Sequence, residues 1–171
     1  MHQNASNDDE SCERARFAAA ANILITRPDG TVLLVHHRRS GLWVLPGGKT
    51  QTDESPRTCA LREGTEELGV PIQMGPLLSV HWLTAKSALW PAAADIPHAY
   101  PCHLTTFAAA ISTEDAERIT VPDDELLGYA WWDPVDVARP HLMETANAAH
   151  LLAVTGAGPE AVTYLEDGSS L

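Results

Sequence analysis

Three glutamates, Glu63, Glu66 and Glu67, stand at positions i, i+3 and i+4 of the segment Arg62-Glu63-Gly64-Thr65-Glu66-Glu67. If the segment is helical, at about 100° per residue, the three carboxylates share one face within an arc of about 100°. Carboxylates at that separation repel each other unless cations neutralise them, and oxygen ligands of this kind suit the hard ions Mg²⁺ and Mn²⁺. A solvated charged face is the alternative interpretation, because acidic residues are common on surface helices.

Signals at both ends predict that the glutamates lie on a helix spanning residues 54–68. Ser55 can serve as the N-cap with Pro56 at the first helical position, and Gly69 follows as the C-terminal cap. On the side opposite the glutamates, four residues have the i, i+3, i+4, i+7 spacing of a stripe that packs against a sheet. They are Leu61, Gly64, Thr65 and Leu68. We therefore expect a helix that is apolar inward and acidic outward.

A loop rich in glycine and proline, Ser40 to Thr52, precedes this helix. It contains Gly41, Pro46, Gly47 and Gly48, so the backbone there can turn sharply and approach a ligand closely.

From Gly48, the sequence GKTQTDESPRTCALREGTEELGV resembles the signature of the Nudix hydrolases. That signature is a glycine, five residues, a glutamate, seven residues, and then Arg-Glu-aliphatic-any-Glu-Glu-any-Gly-aliphatic. The matching residues are Gly48, Glu54, Arg62, Glu63, Glu66, Glu67, Gly69 and Val70. The one departure is Gly64, which replaces a bulky aliphatic residue and should cost about 1 kcal/mol of helix stability, or somewhat less, together with some packing. The flanking segments LWVLPGG (42–48) and ELLGYAWWDP (125–134) also resemble the family, so the resemblance covers roughly Arg16 to Val137.

The resemblance implies an α/β fold, a Nudix-type α/β/α sandwich with a mixed β-sheet in a single domain. It also implies Mg²⁺-dependent hydrolysis, with Mn²⁺ as a possible substitute, of a nucleoside diphosphate linked to another group. By similarity, the metal ligands would be Glu63, Glu66 and Glu67, with the backbone carbonyl near Gly48 as an addition. Such ions neutralise phosphate charge and position the attacking water.

The resemblance also implies roles for residues around the carboxylates. Arg62 is one of the candidate catalytic residues, and with Glu54 it would form a pair that orients the helix against the loop. The general base is either a glutamate of the motif or an acid from a later loop, so Glu63 and Glu125 are both candidates.

Three further residues are candidates for substrate binding. Arg38 and Arg39 follow the second predicted strand, and one guanidinium could hold a terminal phosphate, although a surface role is the alternative for each. Trp43 could stack on a base, although tryptophans in strands more often belong to the core.

The rest of the chain predicts strands mixed with two helices. Residues 16–26 and 31–37, separated by the turn Arg27-Pro28-Asp29-Gly30, are expected to form a hairpin. Further strands are expected at 72–84, 100–111 and 126–132, a second helix at 140–155, and a long loop at 85–98. The expected domain is 15–157, between a disordered N-terminal tail at 1–14 and a C-terminal tail at 158–171 whose order we leave open.

Charge and cysteine content narrow the class of protein. The net charge of −12 disfavours binding to nucleic acid or to an anionic membrane surface. Three cysteines with no CxxC pair, Cys12, Cys59 and Cys102, fit free thiols in a reducing compartment, and the apolar runs are too short to span a bilayer. We therefore expect a cytoplasmic protein.

The favoured substrate is a nucleoside or deoxynucleoside triphosphate. The alternative substrates are ADP-ribose or a nucleotide sugar, which would favour a homodimer with a composite site. The alternative functions are those of members of the fold that sense nucleotides without hydrolysis or isomerise prenyl diphosphates. The intact set of motif glutamates disfavours these last two.

Overall fold

The structure, a computed structural model, describes residues 17–84, 101–157 and 161–170, and within these ranges the chain forms nine strands and four helices. The strands are β1 (Ala18–Ile25), β2 (Val32–His37), β3 (Leu42–Val44), β4 (Gly47–Lys49), β5 (Gln73–Leu83), β6 (Cys102–Ala110), β7 (Leu126–Trp132), β8 (Thr163–Glu166) and β9 (Ser169–Ser170). The helices are α1 (Pro56–Leu68), α2 (Thr113–Ala116), α3 (Pro134–Val137) and α4 (Thr145–Gly156).

The strands form two sheets. The larger has the order β4-β1-β6-β5-β8-β9, in which β1 runs parallel to β6 and β5 parallel to β8, while the other neighbours are antiparallel. The smaller has the antiparallel order β3-β2-β7. Helix α1 packs over β1 and β4 on one face of the larger sheet, and α4 contacts β5, β8 and β9 on the other. The predicted single-domain α/β/α sandwich with a mixed sheet is therefore confirmed.

Local capping defines α1 as the sequence predicts. The Ser55 side chain accepts a hydrogen bond from the Thr58 backbone N–H at 3.1 Å, and Pro56 occupies the first turn. Gly69 has a left-handed φ of 65° and donates its N–H to the Thr65 carbonyl. These caps satisfy backbone groups that a helix end would leave without partners.

The predicted hairpin between the first two strands is wrong. The turn exists, because Gly30 N–H bonds to the Arg27 carbonyl, but beyond it β1 and β2 share only an isolated bridge between Thr26 and Val32. One side of β1 pairs with β6 along its whole length, and the other pairs with β4. Since both sides of β1 are occupied, β2 joins the second sheet.

The other predicted elements are present with shifted bounds, and the structure adds β3, β4, α2 and α3, which were not predicted. Helix α4 begins at Thr145, five residues later than the predicted start at Pro140, because the chain from Arg139 to Met143 is a turn whose Leu142 carbonyl accepts the Trp43 N–H. Residues 163–170, whose order the sequence left open, add β8 and β9 to the larger sheet. The expected tail at 1–14, the loop at 85–98 and Cys12 lie outside the described residues.

Apolar clusters form between the sheets and helices. One contains Ile23, Leu33 and Phe107 with residues of α1, and another contains Leu24, Leu34 and Leu151 with residues of α4. Trp131 packs against the first and Trp132 against the second, because successive side chains of β7 point to opposite faces. In the described ranges, no helix has the length and apolarity to cross a membrane. The two cysteines within those ranges, Cys59 and Cys102, are free and buried.

The space beside Gly64, where the family has an aliphatic side chain, is filled from the facing strand β1. A Cβ added to Gly64 would lie 2.5 Å from Ile23 Cδ1, so the isoleucine occupies the space that the missing side chain leaves. The expected loss of packing at this departure from the motif is therefore wrong.

Candidate active site

Helix α1 places the three motif glutamates beside β4, but at very different depths. Glu67 is 7% exposed, whereas the side chains of Glu63 and Glu66 are 18% and 61% exposed. The buried residues of the helix are Cys59, Ala60, Gly64, Glu67 and Leu68. Of the four residues predicted to face inward, Gly64 and Leu68 are buried as predicted. Leu61 and Thr65 are exposed, because the buried face of the helix is rotated to include Glu67.

Glu67 is held at the outer edge of β4. Its Oε2 accepts a hydrogen bond from the Gly47 N–H at 2.8 Å. The carbonyl of the preceding Pro46 faces β1, where it accepts the Ile23 N–H at 2.9 Å. Because the C=O and N–H of one peptide point in opposite directions, Gly47 directs its N–H away from β1. The Glu67 carboxylate therefore lies on the side of β4 that no strand of the larger sheet occupies.

Burial raises the pKa of Glu67 to about 8, against the stabilising Gly47 hydrogen bond. The negative charges of Glu63, Glu125 and Glu66 raise it further. Four carboxylates are thus close enough to interact, and a cation among them would stabilise their charged forms.

Arg62 connects the other glutamates. Its Nε and Nη2 donate to the two Glu54 oxygens at 2.9 and 3.0 Å, and its Nη1 donates to Glu63 at 2.8 Å and Glu66 at 3.1 Å. The hydrogen bonds from Arg62 lower the pKa of Glu54 to about 2. Glu54 also accepts the Gln51 N–H at 2.9 Å, so the predicted Glu54–Arg62 pair ties the helix to the preceding loop.

The two glycines of β4 are in close contact with neighbouring residues. A Cβ on Gly48 would overlap the Glu63 carboxylate, and a Cβ on Gly47, where φ is 154°, would overlap the backbone of Ala21 and Asn22. The Gly48 carbonyl accepts the Cys59 S–H at 3.5 Å. These contacts bring β4 against the helix without an intervening side chain.

The donor set suits a hard divalent cation, because the carboxylate and carbonyl oxygens lie along one helix face and one strand. In the part of the chain that the structure describes, no three His, Cys, Asp or Glu side chains converge on a common point. Glu63 and Glu66 turn toward Arg62, and Glu67 turns toward Gly47. Occupation by a cation would therefore require Glu63 and Glu66 to change partners.

The remaining predicted site residues follow β2 or lie within β3. Arg38 donates its backbone N–H to the Glu125 carbonyl at 2.9 Å, so this exposed arginine adjoins the acidic cluster. Arg39 is also exposed. Trp43 stacks on His36 at a centroid distance of 4.6 Å and meets Trp132 edge-on at 5.4 Å. One face of the Trp43 ring is therefore already covered.

On the α4 face of the larger sheet, next to β4, lies a cavity of about 40 Å³. Its apolar walls are Val44, Leu45, Met143 and Leu151, and its polar lining is Asn22, Asn147 and His150. Asn22 pairs with Gly47 across the β1–β4 ladder, and its buried Oδ1 has no hydrogen-bond partner. None of these three polar residues was predicted from the sequence, although an asparagine within the apolar run AAAANILI was a usable signal.

Behind the cavity, two buried histidines join α4 to β5. His150 Nε2 lies 2.8 Å from Ser79 Oγ and 3.1 Å from Thr106 Oγ1, and its ring is 5.1 Å from that of His81. His81 Nε2 accepts the Gly168 N–H at 2.8 Å. Burial lowers the pKa of His150 to about 3 and that of His81 to about 4, so both rings are neutral at pH 7.

Comparisons with known proteins agree with this geometry. The family model described as the NUDIX domain matches residues 16–154. A MutT-like protein of Streptomyces ambofaciens is 26% identical over 129 residues, covering 75% of this chain and 83% of the relative. The CTP pyrophosphohydrolase of Escherichia coli K12 is 38% identical over 110 residues, covering 61% of this chain and 76% of the relative.

Solved structures share the fold. An ADP-ribose pyrophosphatase from Streptococcus suis superposes with a TM-score of 0.63 at 17% identity, covering 88% of this chain and 99% of its own. The family match includes strands β1 to β7, helices α1 to α3 and most of α4, with all the motif residues described above, and it ends before β8 and β9. The chain therefore belongs to the Nudix hydrolase family, as a pyrophosphohydrolase.

Proposed function

We propose that this chain hydrolyses the diphosphate linkage of nucleoside or deoxynucleoside triphosphates, using Mg²⁺, or Mn²⁺ in its place. The observation that carries the proposal is the burial of Glu67 against the Gly47 N–H, amid the negative charges of Glu63, Glu66 and Glu125. An isolated buried carboxylate is costly, and acidic clusters of this kind occur where a cation or a phosphoryl group is handled.

The divalent ion would be held by Glu63, Glu66 and Glu67 with the Gly48 carbonyl, and it would supply charge neutralisation on the phosphate oxygens and activation of the attacking water. Gly47 fixes the Glu67 carboxylate at the outer side of β4, and this hydrogen bond leaves the other oxygen, Oε1, available as a ligand. Glycine at positions 47 and 48 lets β4 lie directly against β1 and against Glu63, where a Cβ would overlap them.

Arg62 is proposed as a positioning residue. Its bidentate bond to Glu54 fixes the guanidinium, which holds Glu63 and Glu66 side by side through a single nitrogen. A fixed positive charge between two carboxylates reduces their repulsion while no divalent cation is bound between them.

Glu125 and Glu63 are the two candidates for the general base. Glu63 bonds to Arg62 in this structure, whereas Glu125 approaches the cluster from the start of β7. Loss of the acidic limb of the pH–rate profile in Glu125→Gln alone would select Glu125, and the same result in Glu63→Gln alone would select Glu63. Arg38, next to Glu125, and Arg39 are proposed to bind the terminal phosphates.

The 38% identity to a CTP pyrophosphohydrolase supports a triphosphate substrate. The test is a turnover screen with Mg²⁺ or Mn²⁺ against triphosphates, ADP-ribose, nucleotide sugars and dinucleoside polyphosphates. Glu67→Gln serves as the inactive variant, and Glu114→Gln, at a side chain 83% exposed on α2, serves as the matched control.

Release of pyrophosphate and a nucleoside monophosphate from a triphosphate, lost in Glu67→Gln and kept in Glu114→Gln, is the expected result. Release of a sugar phosphate and a monophosphate from ADP-ribose or a nucleotide sugar, with triphosphates inert, would replace this proposal by that substrate class. Thermal stabilisation by nucleotides without turnover of any substrate would indicate a sensor and overturn the proposal.

A further inference from the structure

Arg57 lies in the first turn of α1, where a positive charge is unfavourable. The N–H groups at the start of a helix form the positive end of its dipole, and this first turn holds no acidic side chain. The Arg57 guanidinium binds two carbonyl groups of β5 instead. Its Nη1 donates to the Gly75 carbonyl at 2.7 Å, and its Nη2 donates to the Met74 carbonyl at 3.1 Å.

The part of β5 that binds Arg57 is irregular. Successive carbonyl groups of a regular strand point to opposite edges, so one guanidinium does not normally face two of them in a row. The pairing of β5 with β6 shifts register between Met74 and Leu77, as in a β-bulge. Within this bulge, Gly75 lies so close to β6 that an added Cβ would be 2.9 Å from Ala108 Cβ. The bulge therefore presents both carbonyl groups to the helix.

Arg57 and the proposed metal ligands hold α1 from two sides. In the sheet order β4-β1-β6-β5, the helix packs over β1 and β4, and Arg57 reaches across β6 to β5. At the β4 edge, Glu67 accepts the Gly47 N–H at 2.8 Å. At about 100° per residue, Arg57 lies about 120° around the helix from Glu63. Attachments on two sides prevent the helix from rolling about its axis, whereas an attachment on one side alone does not.

We propose that Arg57 is a positioning residue for the divalent cation, because it fixes the rotation of α1 and thereby the directions in which Glu63 and Glu67 point. This inference rests on the proposed metal-dependent function. Arg57 acts through the helix rather than through contact with the cation. Without it, α1 can roll, which would lengthen the bond between Glu67 and Gly47 and move the carboxylates apart from the Gly48 carbonyl.

The first test is Mn²⁺ binding by calorimetry, without nucleotide. Arg57→Ala should bind Mn²⁺ at least about 10-fold more weakly than the wild type, because residues that orient metal ligands contribute about 10- to 100-fold to metal affinity. Loss of a positive charge alone would instead tighten cation binding to this acidic chain. The matched control is therefore Arg118→Ala, which removes an exposed arginine that pairs with Glu114 and Asp115.

Two further variants test the bond between Arg57 and β5. Arg57→Lys keeps donors for the carbonyl groups and should bind Mn²⁺ with an affinity between those of Arg57→Ala and the wild type. Gly75→Ala disturbs the bulge and leaves Arg57 in place, and it should also weaken Mn²⁺ binding. The double variant Arg57→Ala/Gly75→Ala should bind no more weakly than Arg57→Ala, because both changes break the same interaction.

Amide exchange of Gly47 measures the rotation in metal-free protein, independently of turnover. Its N–H is protected by Glu67, so exchange should be faster in Arg57→Ala and unchanged in Arg118→Ala. The role of Arg57 would be overturned by unchanged or tighter Mn²⁺ binding in Arg57→Ala, by unchanged Gly47 exchange, or by equal losses in Arg118→Ala. If Arg57→Ala fails to fold, the same two measurements on Arg57→Lys and Gly75→Ala decide.

Failure of the proposed function gives a different result. Folded wild-type protein that binds no Mn²⁺ and hydrolyses no triphosphate would refute that function. The Gly47 exchange rates would still decide whether Arg57 fixes the rotation of α1, because they are measured without metal or substrate.

Discussion

Replacing Gly48 by alanine should remove most of the activity while leaving the stability of the fold almost unchanged. The Cβ introduced at Gly48 would overlap the Glu63 carboxylate, which is the far end of a flexible side chain and can rotate away. Rotation would break the 2.8 Å bond from Arg62 Nη1 to Glu63 and displace a proposed metal ligand. Gly48 does not have a positive φ, so alanine can adopt its backbone conformation.

The opposing effects on stability are small and of similar size. Loss of the partly exposed Arg62–Glu63 pair costs about 0–1 kcal/mol, whereas Gly→Ala reduces the entropy of the unfolded chain and stabilises by about 0.4–1 kcal/mol. The net change in the free energy of unfolding should stay within about 1 kcal/mol. Displacement of a ligand by about 1 Å costs roughly 100-fold in rate, so kcat/KM should fall by at least about that factor.

The assay is kcat/KM on the best triphosphate substrate together with urea unfolding of each variant. Gly47→Ala provides the contrast, because its Cβ would overlap backbone atoms of Ala21 and Asn22, which cannot rotate away, and it should lose stability as well. Gly156→Ala, with open space around its Cβ, is the neutral control. Activity of Gly48→Ala within about 3-fold of wild type, or destabilisation as large as that of Gly47→Ala, would refute the reasoning.

Three further predictions concern buried groups. The pKa of His150 is depressed below its unfolded value of about 6.5, so the stability of the wild type falls as the pH falls. The free energy of unfolding of His150→Gln, measured in urea, should therefore rise relative to that of the wild type by up to about 1.4 kcal/mol per pH unit as the pH falls from about 6.5 toward 4. A difference that stays constant with pH would contradict this. Glu67→Gln should lower turnover by orders of magnitude with an unchanged circular dichroism spectrum, whereas retained turnover would refute its role as a ligand. Gly64→Ala and Ile23→Val should couple favourably in a double-mutant cycle by about 1 kcal/mol, because the shorter valine makes room for the Cβ; additive effects would contradict the packing described above.

Features that depend on neighbouring residues were predictable from the sequence. The caps at Ser55 and Gly69 follow from short-range spacing, the ion pair between Glu54 and Arg62 was implied by the resemblance to the Nudix signature, and all are present. The pairing of β1 was not predictable, because its partner β6 begins at Cys102, far along the chain, and a turn signal at Gly30 does not reveal which sheet each strand joins. Pairing between distant segments is decided by tertiary packing.

The sequence-based predictions that were wrong at the site concern buried polar groups. The helical pattern places acidic residues outward, so it assigned Leu61 and Thr65 to the core, whereas the hydrogen bond from Gly47 draws Glu67 inward. The same assumption hid Asn22, because hydrophobic periodicity does not indicate which interior position carries a polar side chain.

The larger sheet ends in two very short strands, with consequences for behaviour in concentrated solution. Strand β4 has three residues and β9 has two, while the long strands β1, β6 and β5, of 8, 9 and 11 residues, all lie inside the sheet. Long unpaired edges invite other chains to add strands and aggregate, and short edges offer little template for this. The C-terminal pair β8–β9 thus shields β5, and a chain cut before Thr163 should be more prone to form fibrils or precipitate.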